Sequence, residues 1–442
     1  MSVTFPAALH PLVQQVEAHV YAQPPLAIEA ARALLKQCQQ PEHLAYVYEQ
    51  LGFAHLILGE HRLSCLFYEQ ARALQPQNIY VLANLAHARY ELGEREQAVH
   101  IGREALRLKD EQACEAYKPE PAPLQAPFQG PLNLVSFSLY GALPRYCEMA
   151  VLNVLAVQRH LPGFVCRFYT DDSVPPAVLQ RLQALGAQCV TLGTEGSRMP
   201  ATFWRFLGMD DPQADCVLVR DVDALIDARE AWCVRDWQQS GQAFHILRDD
   251  CCHTELILAG LLGIRSGVLR GMRECIGHFL AREPEMGWRR YGDQLFLRHA
   301  IWPAVHAHTL THDTVYGYGH QVHAVGYKDH PQAGPRNAFI GANHATCQLN
   351  CSVDQPLPPG ARVVLSLTDA AGTLVCRHAM QAAPFNPSAP SGVPSHWAIQ
   401  LPQTYADRVQ NGQWRTEVAW QTHADGLGDG STDPVLLGMQ AT

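Results

Sequence analysis

The chain has 442 residues, room for two to four domains. Hydrophobic residues make up 47% and charged residues 17%, a globular balance that excludes a disordered or fibrous protein. A formal net charge of -9 argues against a nucleic-acid-binding protein. It leaves an anionic substrate open, because a bound cation inverts the local field. The 14 cysteines lack paired Cys-x2-Cys spacing, and several (Cys166, Cys189, Cys216, Cys275) fall inside apolar runs where a thiol acts as a small hydrophobe. Cys251, Cys252, His253 and His245 have the wrong spacing for a structural zinc site. The first residues do not read as a signal peptide, and apolar runs such as 257–264 are too short to span a bilayer. A cytoplasmic protein with reduced thiols is expected.

Residues 1–116 read as helical, with an internal repeat. Aligning 46–78 with 80–112 gives a period of 34 residues, with Leu51, Gly59, Ala71 and Leu74 falling on Leu85, Gly93, Ala105 and Leu108. Tyr68 falls on Gly102 and Pro76 on Asp110, so the match is imperfect. A weaker copy occupies 11–44. The length and pattern resemble the tetratricopeptide repeat (TPR), whose arrays offer a concave face to a peptide or partner. The hairpins serve equally well as a support for the next domain. Five prolines between Pro119 and Pro131 mark 117–131 as a semi-rigid linker.

From 132 to 346, strands alternate with helices: strand 132–138, helix 144–161, strand 164–170, helix 177–185, strand 188–192. After these come strand 216–219, a helix near 229–239 and strand 243–247. That alternation predicts a parallel α/β sheet. The central stretch is Cys216-Val-Leu-Val-Arg-Asp-Val-Asp223. With a period of two, Asp221 and Asp223 point to one side and Val222 to the core. Paired carboxylates at the carboxyl end of a buried strand suit a hard divalent cation, Mg2+ or Mn2+, where open α/β sheets bind their ligands. Asp residues that merely cap the following turn look the same. From 347 to 442 the pattern becomes a small antiparallel β domain, with a hairpin at 362–376 turning on Asp369-Ala-Ala-Gly372 and further strands at 397–401 and 413–420. Residues 384–394 read as a loop and 425–442 as a loose end.

The middle region resembles a bacterial glycosyltransferase of the GT-A type over roughly 132–346. The resemblance rests on ordered pieces: Phe137-Ser-Leu-Tyr-Gly141, Trp204-Arg205-Phe206, Arg220-Asp-Val-Asp223 and Phe244-His-Ile-Leu-Arg-Asp249. After these lie Leu258-Ala-Gly-Leu-Leu-Gly-Ile264, Tyr291-Gly-Asp-Gln294 and His312-Asp313. It departs at Ala259-Gly260-Leu261-Leu262-Gly263, where relatives often carry a Gly-Gly-aromatic-Gly run. The fold class so implied is multidomain α + α/β + β: TPR-like helices, a Rossmann-like GT-A domain and a small β-sandwich-like domain.

The resemblance implies a nucleotide-sugar donor and a metal at Asp221 and Asp223, with His312 completing the shell. His323 is second, because His323-Ala-Val-Gly-Tyr-Lys328 resembles a late His-x-x-Gly-x-Lys element whose Lys contacts the diphosphate. Arg205, Arg220 and Arg248 are fork-shaped candidates for the phosphates, and internal ion pairs serve them equally well. Tyr140, in the loop after the first strand, is a donor-side candidate, and Asp171 or Asp172 could meet the donor base. Asp293 falls where inverting relatives place the base; in a retaining enzyme it would hold a sugar, and as a plain helix cap it would do neither. Trp204, Trp288 and Tyr291 suit sugar stacking or a core. The function expected is metal-dependent sugar transfer to a protein or surface-glycan acceptor. The competing expectations are a catalytically silent scaffold and a phosphodiesterase-like metal hydrolase.

Overall fold

The computed structural model describes residues 3–116, 124–326, 339–352, 362–382, 396–421 and 440–441. Six helices come first: α1 (His10–His19), α2 (Pro24–Leu35), α3 (Pro41–Ile57), α4 (His61–Leu74), α5 (Ile79–Glu91) and α6 (Arg95–Ala116). The α/β region then runs β1 (Leu132–Leu139), α7 (Pro144–His160), β2 (Phe164–Thr170), α8 (Pro176–Ala184), β3 (Gln188–Thr191), β4 (Ala214–Arg220), α9 (Ala228–Ser240), β5 (Phe244–Arg248) and β6 (Leu261–Arg265). It continues through α10 (Met272–Arg282), α11 (Pro284–Gly287), α12 (Gly292–Phe296), α13 (Trp302–Val305), β7 (Thr309–Asp313) and β8 (Gln321–His323). The last elements are β9 (Thr346–Ser352), β10 (Arg362–Asp369), β11 (Leu374–Ala379), β12 (Gln381–Ala382), β13 (His396–Pro402), α14 (Gln403–Gln410), β14 (Trp414–Gln421) and β15 (Gln440–Ala441).

The chain forms two compact units. The first is Met1–Ser136, Glu195–Asp221 and Ile226–Gly341; the second is Phe137–Thr194, Val222–Leu225 and Ala342–Thr442. In the first, α1–α6 pair as consecutive hairpins. Gly59 and Gly93, 34 residues apart, make the turns after α3 and α5 at φ +72° and +83°, a conformation that favours glycine. The Tyr68/Gly102 mismatch in the repeat has a physical cause. A Cβ at Gly102 would stand 2.1 Å from the Tyr316 ring, so only glycine lets α6 approach it. Beside that contact, buried Lys109 donates to Thr254 O at 2.6 Å and to Glu255 at 3.1 Å, and Arg298 closes the ion cluster on Glu255. The helices are therefore built into the same unit as the strands that follow.

Those strands run in the order β1-β4-β6-β5-β7-β8. The β1–β4, β5–β7 and β7–β8 pairs are parallel. Helices lie between the partners of the first two pairs in the chain, as crossovers require, whereas β7 and β8 are joined without one. The wholly parallel sheet predicted from the alternation is corrected at one strand: β6 runs antiparallel to both β4 and β5. The connection from Arg248 to Leu261 holds no helix, and the chain re-enters the sheet at the end where β5 left it.

The second unit holds α7 and α8 with the parallel pair β2–β3, and antiparallel sheets β11-β10-β14 and β12-β13-β9-β15. The predicted hairpin is β10–β11, with Gly372 at φ +83° in its turn. Helix α14 was not expected; Pro402 precedes its first residue, and Tyr405 and Ala406 are buried. The loop predicted at 384–394 lies outside the described residues, as does most of 425–442 and part of the 117–131 linker. Fully buried Glu148 on α7 accepts both arms of the Arg181 guanidinium, at 2.7 and 2.8 Å, and also takes His378 and the Tyr405 hydroxyl. Burial alone would raise this carboxyl. The hydrogen bonds from His378 and Arg181 and the charge of Arg181 outweigh burial and pull it down to about 2.

That folded value lies below the unfolded one. The stabilisation from Glu148 is thus full above about pH 4.5 and is lost as pH falls towards about 2. Denaturant unfolding of the full chain at stepped pH tests this. Glu148→Gln should lower stability at pH 7 by roughly 3–5 kcal/mol and flatten the loss between pH 5 and 2. An unchanged acid slope in the variant contradicts the assignment.

Candidate functional site

Three of the residues singled out from sequence meet in the first unit. Arg205 lies on a short 3-10 helix over Ala201–Gly208, and the residue is 4% exposed. One arm pairs with Asp221 Oδ1 and the other donates to Asp293 Oδ2 at 2.7 Å. Asp221 follows the last residue of β4, and its side chain is half exposed. Asp293 opens α12 and is buried.

Packing fixes each segment. The Ser136 hydroxyl on β1 donates to Arg205 O at 2.6 Å. Phe203 and Phe206 from the 3-10 helix each lie 5.5 Å from Phe296 on α12, and Phe279 of α10 joins them at 5.5 Å from Phe296. Such an aromatic cluster locks the Arg205 and Asp293 segments together. Gly260 is required by close approach: a Cβ there would fall 2.0 Å from Asp221 Oδ2. Gly292 is required likewise, since a Cβ would fall 2.2 Å from Gly287 O. Burial, and next the charge of Asp221, hold the Asp293 carboxyl above the usual carboxylate range, with Arg205 opposing them.

Before Asp293, Tyr291 has φ +66°, the sole positive value for a non-glycine among the described residues. Strain of this kind costs on the order of 1–3 kcal/mol and concentrates at functional sites. Tyr291 and Trp288 are exposed, and the Arg290 guanidinium lies 4.4 Å from the Tyr21 ring and 5.2 Å from the Tyr291 ring. Trp204 is buried, with its Nε1 donating to Gly196 O at 3.2 Å, so it belongs to the core.

Two of the arginine candidates form internal ion pairs, the other of the two readings open to them. Arg220 is 2% exposed and pairs with buried Glu230, while also donating to Val219 O and Leu262 O. Arg248 is fully buried on Asp313 at 2.9 Å and also donates to Glu255 O, Leu256 O and Tyr318 O. Both guanidinium groups are buried within these internal contacts.

His312 does not meet Asp221. Arg220 pairs with Leu261, Ile246 with Leu262 and Leu247 with His312, which sets His312 three strands from Arg220 in one row of the sheet. Three strand spacings are about 14 Å, too far to share an ion. Burial lowers the His312 pKa to about 4, and its ring meets Asp236 and His245 instead.

In the second unit, Asp223 lies two residues beyond Asp221, and its carbonyl accepts the His344 N–H at 2.8 Å, beside the bridge Ala224↔Asn343. His344 Nε2 is buried without a hydrogen-bond partner among the described residues. Sequence reasoning passed over this histidine, one of several between 306 and 344, because the bridge that brings it to Asp223 is an isolated one. Tyr140 is exposed; Asp171 accepts from Ser173 N at 3.1 Å in a turn of its own. Lys328 lies outside the described residues.

No protein-family model and no curated protein matches the chain. Among solved structures it is similar to an O-GlcNAc transferase variant of Thermobaculum terrenum, at 18% identity and a TM-score of 0.25, over 43% of this chain and 42% of that one. It is also similar to the galactosyltransferase LgtC bound to donor and acceptor sugar analogs, at 15% identity and TM-score 0.31, over 41% of this chain and 74% of that one. A third likeness is to the glycosyltransferase GlyE of Streptococcus pneumoniae TIGR4, at 20% identity and TM-score 0.31, over 41% and 45%. The chain thus spans less than half the length of the first and third. Scores this low establish neither fold nor function for this chain.

Removing the cation tests the cluster without reference to any activity. Arg205→Met leaves Asp293 buried without its counter-charge and should lower unfolding stability by roughly 3–5 kcal/mol in denaturant melts. Adding Asp293→Leu should recover part of that loss, giving a coupling of about 1–3 kcal/mol. Additive losses would show that the two side chains do not act as a unit.

Proposed function

We propose that the chain is a metal-dependent glycosyltransferase that moves a sugar from a nucleotide-sugar donor to a protein or glycan acceptor. The observation that carries this reading is the buried Arg205 joining Asp221, at the end of a central strand, to Asp293, at the start of a helix. Those residue types at those positions are what the GT-A resemblance of the sequence calls for. Asp221 and Asp223 offer hard oxygen donors for Mg2+ or Mn2+. Within the second unit, His344 lies beside Asp223 with a ring nitrogen that has no partner among the described residues. When bound, the cation supplies charge neutralisation for the leaving diphosphate.

The chain's own groups have these parts. Arg205 fixes the direction of both carboxylates and keeps Asp221 Oδ2 against Gly260. Asp293 serves as base towards the acceptor hydroxyl in an inverting reaction, or holds a sugar hydroxyl in a retaining one. Trp288 and Tyr291, exposed beside α12, suit stacking on an acceptor ring. Tyr140 and Lys328 remain donor-side candidates. The TPR-like hairpins are proposed to aid acceptor or partner binding, while α6 also carries a structural duty through Lys109 and Gly102.

Donor hydrolysis or transfer by the full chain tests the site. Asp221→Ala/Asp223→Ala should abolish metal-dependent turnover. Gly260→Ala, which only forces the Asp221 carboxylate aside, should cut turnover by about 10²-fold while the melting temperature changes little. Wild-type turnover in the double variant would exclude these carboxylates as the metal site.

A further inference from the structure

A second set of metal-binding side chains lies in the first unit, and neither Asp221 nor Asp293 belongs to it. His312 and His323 are Cα partners in the parallel pairing of β7 with β8, so their side chains leave the sheet on the same face. α9 brings Asp236 to them. Its Oδ2 lies 3.0 Å from His312 Nε2 and 2.6 Å from His323 Nδ1. Asp236, His312 and His323 each offer one donor atom, all within 4.8 Å of one another.

We propose that Asp236, His312 and His323 bind a divalent transition-metal cation of the zinc class. Two imidazole nitrogens and one carboxylate oxygen favour Zn2+ and its neighbours over Mg2+ or Ca2+, which prefer all-oxygen sites. A tetrahedral ion with bonds near 2.1 Å sets its donors about 3.4 Å apart. The present contacts to Asp236 need open by only a few tenths of an ångström to about 0.8 Å on that geometry.

The surroundings of His312 are those of an oriented ligand. Its second nitrogen, Nδ1, lies 2.9 Å from Nε2 of His245 on β5, the kind of outer partner that fixes a ligating imidazole's tautomer. With an ion on Nε2, His312 carries its proton on Nδ1 and donates it to His245 Nε2. His245 then carries its own proton on Nδ1, the atom buried without a hydrogen-bond partner among the described residues. The ring of Trp237 stacks on His245 at 5.4 Å, and Trp232 sets its edge against His312 at 5.7 Å. Gly326 permits that wall, since a Cβ there would fall 2.7 Å from the Trp232 ring.

His312 is fully buried, whereas the Asp236 and His323 side chains are 30% and 39% exposed. The ion enters from the solvent side, and three protein ligands leave a coordination position for water or a further ligand. β8 is only three residues long, and an ion on His323 staples this short edge strand to α9.

The test uses the full chain stripped with EDTA and then titrated with Zn2+ alone, by calorimetry and thermal melting. The Asp221→Ala/Asp223→Ala background removes the carboxylates proposed above as the Mg2+ or Mn2+ ligands, so failure of that reading and failure of this one are separable. Wild type and that background should both take up Zn2+ and melt at a higher temperature. His323→Ala and Asp236→Asn, both at part-exposed side chains, should each weaken Zn2+ binding at least tenfold and abolish the visible bands of bound Co2+. Two variants guard against a folding artefact, and far-UV circular dichroism checks each. Zn2+ binding absent in the wild type, or unchanged in both variants, overturns the proposal and leaves the trio a hydrogen-bonded cluster.

Discussion

A guanidinium buried between two carboxylates fixes the first unit's candidate site. Taking Arg205 and Asp293 out of water is costly unless each finds a partner in good geometry, so Arg205 must keep its place between Asp293 and the half-exposed Asp221. Much of the local structure serves that need. Ser136 holds the Arg205 backbone, the Phe203, Phe206, Phe279 and Phe296 cluster joins the 3-10 helix to α12, and Gly260 and Gly292 give way to side chain and backbone. The strained Tyr291 stands at the same place, where the chain turns into α12.

Buried ion pairs recur as framing members. Arg220 with Glu230, Arg248 with Asp313, and Lys109 with Glu255 and Arg298 tie strands, loops and α6 within one unit. Glu148 does the same in the other unit, drawing Arg181, His378 and Tyr405 around one carboxylate. Glu255, Asp313 and Glu148 are each held by several donors at once, which is what makes a buried charge tolerable.

The regular elements were legible in the sequence because hydrophobic period is a local property. β1, α7, β2, α8 and β4 fall within a residue or two of their expected bounds, and the β10–β11 hairpin runs three residues past its expected end. The antiparallel run of β6 was not legible, because Leu261–Arg265 is as apolar as the sheet's other strands and nothing in its own residues marks its direction. Three arginines looked alike as phosphate forks, and all three are buried; what separates them is the partner, since Glu230 and Asp313 are buried while the Asp221 side chain on Arg205 is half exposed. His312 and His323 were noticed, but their partner Asp236 sits on a helix 76 and 87 residues away, and strand register brings the three together. Glu148 gave no signal at all, since its partners His378 and Tyr405 lie 230 and 257 residues further along.

The central claim is that the Arg205-linked carboxylates serve a nucleotide-sugar site that needs a divalent cation. A thermal-shift panel of UDP-, GDP-, CMP- and dTDP-sugars on the full chain, each with and without Mn2+, tests it most directly, because a ligand of the folded state raises the melting temperature by mass action. The account predicts a rise with one nucleotide family that requires Mn2+. No rise with any of the donors, in the presence or absence of Mn2+, would contradict it.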